Sequence, residues 1–122
     1  MKKRCLVVDD DSVSREIVTI LMQEYNIATV AAENGKVALD LCKNNQFDCA
    51  IIDLEMPQVG GFEFLEKKPF ENQKVKPVIF FVTVRDYDVD RQHAIALGAA
   101  EFIIKPVKRA ILKEKLKQYG IV

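Results

Sequence analysis

The sequence predicts an α/β fold: a doubly wound, five-stranded parallel sheet with helices on both faces. Three observations predict it. Cys5–Val8, Ala50–Ile52, Val78–Val82 and Phe102–Ile104 are short, unbroken apolar runs, the pattern of strands covered on both faces. Between them lie segments whose apolar residues recur at helical spacing. At 122 residues, 49% hydrophobic and 30% charged, the chain has enough apolar material for one core and is of a length for one domain, residues 1–122.

Taken in order, the elements follow from local chemistry. In the first helical segment Val13, Ile17, Ile20 and Leu21 form the expected buried face, with Asp11 or Ser12 as its N-cap. Ala28–Ala32 is a weaker apolar run and supplies a further strand. Val37, Ala38, Leu41 and Cys42 set the second helix. "GFEFLEKKP" leaves barely two helical turns before Pro69, and the polar stretch to Pro77 reads as a loop. A fourth helix begins near Asp88 and closes at Gly98. The last segment places Leu112, Leu116 and Tyr119 on one face and lysines elsewhere. Right-handed βα crossovers then point to the flavodoxin-like strand order 2-1-3-4-5, whose ligand crevice lies between the carboxyl ends of strands 1 and 3.

Charge and composition exclude several classes. Lys+Arg and Asp+Glu are both 18, so no net field draws the chain to nucleic acid or an acidic membrane surface, and no direct nucleic-acid binding is expected. The basic start "MKKRC" resembles a signal-peptide n-region, but its apolar stretch is too short for an h-region. No apolar run approaches the roughly 20 residues of a membrane span, which leads to the expectation of a soluble, cytoplasmic protein. Cys5, Cys42 and Cys49 are odd in number and lack a CxxC pair, so they read as small core residues. Lys108, Arg109, Lys113, Lys115 and Lys117 make the last helix basic: a solvated face, or a dock for an acidic partner.

The chemistry gathers at the strand ends. The four strong runs end in Asp9-Asp10, Asp53, Thr83 and Lys105, and in a parallel sheet those ends share one edge. Carboxylates in proximity repel, and a hard divalent cation, Mg²⁺, relieves that repulsion while keeping open positions. A carboxylate beside Mg²⁺ attacks phosphorus to give an aspartyl phosphate, with a hydroxyl and an ammonium holding the remaining oxygens; Asp53, Thr83 and Lys105 fit those roles. Any one of them alone is usually a solvated turn residue or a cap, and it is their convergence that points to the chemistry.

"LVVDDDSVSR", "IIDLEMPQVGG", "FFVTV" and "FIIKP", in that order, resemble the response-regulator receiver domains of two-component signalling, the chemotaxis regulators among them, over essentially the whole chain. The resemblance implies a phosphoacceptor domain that is not a conventional enzyme. It implies that Asp9, Asp10, Asp53 and the backbone carbonyl of Glu55 hold Mg²⁺, that Asp53 accepts phosphate from a histidine kinase or histidine phosphotransfer protein, and that Thr83 and Lys105 contact the phosphoryl group. It further implies a switch in which Phe102 follows Thr83 and alters the face of helix 4, strand 5 and helix 5 for a downstream protein. His93 reads as an ordinary helix residue. No effector domain follows Tyr119, so the chain reads as a stand-alone receiver or as a piece of a larger regulator.

The sequence departs from the family pattern at three places. Gly60-Gly61 stands where Asp-Gly is usual, which is expected to loosen that loop. Val84 is bulkier than the usual Ala or Gly after the hydroxyl residue and is expected to narrow access to Asp53. Glu55 and Arg85, two beyond Asp53 and Thr83, are expected to face each other across the pocket. Two rival readings stand beside this one: a haloacid-dehalogenase-like phosphatase with Asp9 as nucleophile and Asp11 as general acid, and a receiver-like scaffold that is never phosphorylated.

Overall fold

The computed structural model describes residues 2–122. Five strands, β1 (Arg4–Val8), β2 (Ala28–Ala32), β3 (Cys49–Asp53), β4 (Val78–Thr83) and β5 (Glu101–Ile104), form one parallel sheet in the order β2-β1-β3-β4-β5. Five helices alternate with them: α1 (Ser12–Gln23), α2 (Gly35–Cys42), α3 (Gly61–Glu66), α4 (Asp88–Ala96) and α5 (Arg109–Gln118). The strand order and the alternation are those read from the sequence.

Two apolar clusters sandwich the sheet because successive side chains of a strand point to opposite faces. Cys5, Val7, Cys49, Ile51, Phe80, Val82 and Ile103 pack with Val18, Met22, Leu112 and Leu116 beneath α1 and α5. Leu6, Val8, Ala50, Ile52, Phe81 and Phe102 pack with Ala38, Phe64, Leu65 and Ala94 beneath α2, α3 and α4. All three cysteines are free, Cys5 and Cys49 fully buried in adjoining strands, as small core residues should be.

One helix face differs from expectation. Val18, Leu21 and Met22 are the buried residues of α1, while Val13, Ile17 and Ile20 are 62%, 46% and 51% exposed. The apolar positions of this segment surround more than half of the helix, so spacing alone admits two faces. The face that packs is the one carrying the pair Leu21 and Met22. Asp11 caps this helix, its Oδ1 accepting from the Val13 N–H at 3.2 Å and its Oδ2 from the Ser14 hydroxyl at 2.9 Å. Gly98, at φ +101°, ends α4 in the left-handed region that suits glycine.

The two positions of the Gly60-Gly61 pair differ in how closely they are packed. Gly61 opens α3 against the end of β3: a Cβ there would lie 2.5 Å from the Asp53 carbonyl oxygen and 2.8 Å from Phe81 Cε1. Gly60 has an ordinary φ of −77°, and a Cβ on it would meet nothing closer than 3.4 Å. Gly61→Ala should therefore lower stability by about 1–3 kcal/mol, the usual range for overpacking a tight site, while Gly60→Ala stays within about 1 kcal/mol of the parent or gains slightly. Urea unfolding of the two variants measures both; equal losses would contradict the close approach at Gly61.

Candidate functional site

Sheet register builds the site. Val8 of β1 pairs with Ile52 of β3, so the next residues, Asp9 and Asp53, leave adjacent strands side by side. By pleat parity Asp9, Asp53 and Lys105 share the face beneath α1 and α5, following Val7, Ile51 and Ile103. Asp9 and Asp53 are buried and Asp10 is exposed, yet one carboxylate oxygen from each of the three lies within 4.8 Å of the others. Lys105 leaves β5 with its backbone N–H bonded to the Thr83 carbonyl at 2.8 Å. Its ammonium spans the cluster, 2.9 Å from Asp9 Oδ2 and 3.4 Å from Asp53 Oδ2.

The electrostatics follow from crowding and burial. Burial pushes the Asp53 carboxyl up to about 7; the Lys105 ammonium pulls against that, and the charges of Asp9 and Asp10 add to the rise. Burial pulls the Lys105 ammonium down, but the Asp9 hydrogen bond and the Asp53 and Asp9 charges outweigh it and hold Lys105 above its ordinary value. Asp9 is further held by the Asp11 N–H, which donates to its Oδ1 at 2.9 Å, and by Arg15, whose Nη1 donates to its carbonyl at 2.7 Å. Three hard oxygen donors crowded at one edge of the sheet match the chemistry of an Mg²⁺ site.

The other expected residues fall on the opposite face or at the rim. Thr83 ends β4, is 1% exposed, and its Oγ1 accepts the Arg85 N–H at 3.2 Å. Phe102 pairs with Phe81 and shares Thr83's side of the sheet by parity; the Arg91 guanidinium lies 4.9 Å from its ring centroid. Val84 is 73% exposed and lines, with Asp9, Asp11, Lys105 and Pro106, a cavity of about 370 Å³. It thus borders Asp9 and Lys105. Glu55 and Arg85 do face each other, Nη1 to Oε1 at 2.5 Å. Sequence reasoning missed Asp90, a buried residue of α4 that also binds Arg85, at 2.7 Å from Nη2. Its signal was an acidic residue five positions after an arginine across a helix start, too common to single out.

Residues 5–117 match the family described as response regulator receiver domain, and the chain belongs to that family. It is a receiver domain of the kind found in two-component systems. A protein-glutamate methylesterase/protein-glutamine glutaminase of Desulfotalea psychrophila is 35% identical over 123 residues, which cover 94% of this chain and 34% of that protein. The chain spans 15% to 53% of the length of this and other curated relatives. The chemotaxis protein CheY4 of Vibrio cholerae superposes with a TM-score of 0.89 at 27% identity, covering 98% of this chain and 99% of that one. The receiver domain of Ssk1 from Saccharomyces cerevisiae, co-crystallised with the histidine phosphotransfer protein Ypd1, shares the fold with a TM-score of 0.88 at 23% identity, covering 98% and 90%.

The phosphatase reading fails on this family and on Asp11 itself. The Ser14 hydroxyl and the Val13 N–H hold the Asp11 carboxyl below its ordinary value, where a general acid needs the reverse.

The pH dependence of the metal-free protein has a definite sign. A carboxyl whose folded pKa is raised contributes stability that is full below its unfolded value near 4 and is lost as pH rises through about 7. In EDTA, Asp53→Asn should therefore exceed the parent in stability by about 1–3 kcal/mol at pH 8 and by little at pH 4. Added Mg²⁺ should raise the parent's melting temperature by more than the variant's. Melting curves across pH decide it, and parallel curves would show that Asp53 ionises without cost.

Proposed function

We propose that the chain works as a phosphoacceptor: an oxygen of Asp53 attacks the phosphorus of a donor, the new O–P bond forming as the donor's P–N or P–O bond breaks and its electron pair leaves with the donor. The observation that carries this reading is the Lys105 ammonium reaching both Asp9 and Asp53 at the carboxyl edge of the sheet. A cation so placed pairs with one oxygen of an incoming phosphoryl group and holds it over Asp53. The Thr83 hydroxyl, one residue beyond Asp53's neighbour Val82, takes another. Asp9, Asp10, Asp53 and the Glu55 carbonyl would hold Mg²⁺, which supplies positive charge for the phosphoryl oxygens when bound.

The same reading makes the protein a regulator that modifies itself, with a histidine kinase or histidine phosphotransfer protein as donor. A protein donor must seat its phosphohistidine at the pocket mouth, and Val13, Ile17 and Ile20 offer an exposed apolar stripe there, Ile17 bordering the same cavity as Asp9 and Lys105. Thr83 and Phe102, together on the α4 side of the sheet, are suited to carry the response to α4, β5 and α5. No helix among the described residues is long and apolar enough to cross a membrane, in keeping with action in the cytoplasm.

Asp53→Asn should fold yet gain no phosphoryl mass with acetyl phosphate and Mg²⁺, because an amide of nearly equal size is a poor nucleophile. Intact-mass spectrometry reads this directly, and full labelling of the variant would move the acceptor elsewhere. Val84→Ala should label about two- to fivefold faster at the same site, since an exposed branched side chain leaves the cavity wall. A rate equal to or below the parent's would place Val84 outside the donor's path.

A further inference from the structure

We propose that Asp90 is a positioning residue for the phosphoryl pocket: it anchors the Arg85 guanidinium at the rim and so couples the charge in the pocket to the first turn of α4. The inference rests on Asp53 as phosphoacceptor. Arg85 is tied to the pocket at its backbone, where its N–H donates to Thr83 Oγ1 at 3.2 Å. Its side chain then spans two carboxylates. Nη1 meets Glu55 Oε1 at 2.5 Å, while Nε and Nη2 both donate to Asp90 Oδ2, at 3.1 and 2.7 Å. Tyr87 lies beneath, its ring centroid 5.5 Å from the guanidinium carbon.

The two carboxylates are not equivalent. Asp90 is 8% exposed and built into α4, whereas the Glu55 side chain is 54% exposed on a loop. Asp90 is therefore the fixed end of the bridge and Glu55 the free one. Phosphorylation replaces the Asp53 carboxylate with a phosphoryl group of about −1.5 to −2 charges nearer Glu55, repelling that carboxylate and attracting the guanidinium. Arg85 answers that pull only by loosening its hold on Asp90. A buried carboxylate stripped of its partner is costly, so the first turn of α4 must move with Arg85 or be exposed to water. The coupling is reciprocal: whatever holds α4 in place also holds Arg85 away from the pocket.

A rival explanation is that Asp90, like Asp88, only complements the positive end of the α4 dipole. A mutant cycle separates the two. Acetyl phosphate is an anion, so Asp90→Asn, which releases Arg85 towards the pocket, should accelerate Mg²⁺-dependent labelling at low salt on the order of three- to tenfold. In an Arg85→Gln background the same substitution should change the rate by less than about twofold. An unchanged rate in Asp90→Asn, or equal acceleration in both backgrounds, overturns the proposal, the latter because it reports only the lost charge. Hydrogen exchange approaches it from the other side with α4 intact. Beryllofluoride and Mg²⁺ should speed exchange at Asp88–Gln92 in the parent and not in Arg85→Gln; identical responses overturn the coupling. A parent that takes up neither phosphoryl group nor beryllofluoride overturns the phosphoacceptor reading itself, whereas normal labelling with an additive cycle overturns this inference alone.

Discussion

Like charges held close at the edge of the sheet are the constraint to which the rest of the molecule answers. Asp9, Asp10 and Asp53 are brought within 4.8 Å by strand register, and the apolar rungs beneath them, Val7, Val8, Ile51 and Ile52, are what hold them there. Lys105, from the end of β5, offsets part of the repulsion, and burial and crowding push the Asp53 carboxyl up to about 7. A folded state that carries such a cluster is less stable than it could be, and it recovers that stability by binding positive charge. Local strain of this electrostatic kind is a reason to look for chemistry at the site rather than a defect of the fold.

The two sides of the sheet divide the labour. Asp9, Asp53 and Lys105 belong to the α1 and α5 side by pleat parity, next to the cavity lined by Ile17 and Val84. Thr83 and Phe102 belong to the α4 side. The proposed donor approach across α1 and the proposed response towards α4 would thus use different surfaces, with the ends of β3 and β4 between them. Arg85 is the rim residue that touches both, through Glu55 on one side and Asp90 on the other.

Much of this was legible in the residues. Continuous apolar runs named the strands, because a strand covered on both faces has no polar side to show, and Ala28–Ala32 was found to its ends. Asp11 as cap and Gly98 as terminator were readable because capping and positive φ are local demands met by few residue types. The face of α1 was not readable in that way. Val13, Ile17 and Ile20 have the spacing of a core stripe and lie outside, because an apolar side chain carries no mark of whether the sheet or another protein covers it.

By itself the sequence determined the elements, their order, and the set of acids, hydroxyl and lysine at the strand ends, since each of these follows from short-range periodicity and from which residue closes each run. Only the tertiary structure decided how those ends act on one another. Register set Asp9 beside Asp53, the reach of Lys105 across β4 joined it to both, and the docking of α4 brought Asp90 to Arg85. Burial and distance are properties of the packed chain: a carboxylate drawn up to about 7 exists only once segments remote in sequence exclude water around it, and an arginine shared between two acids only once the ends of β3 and β4 and the start of α4 meet at one edge.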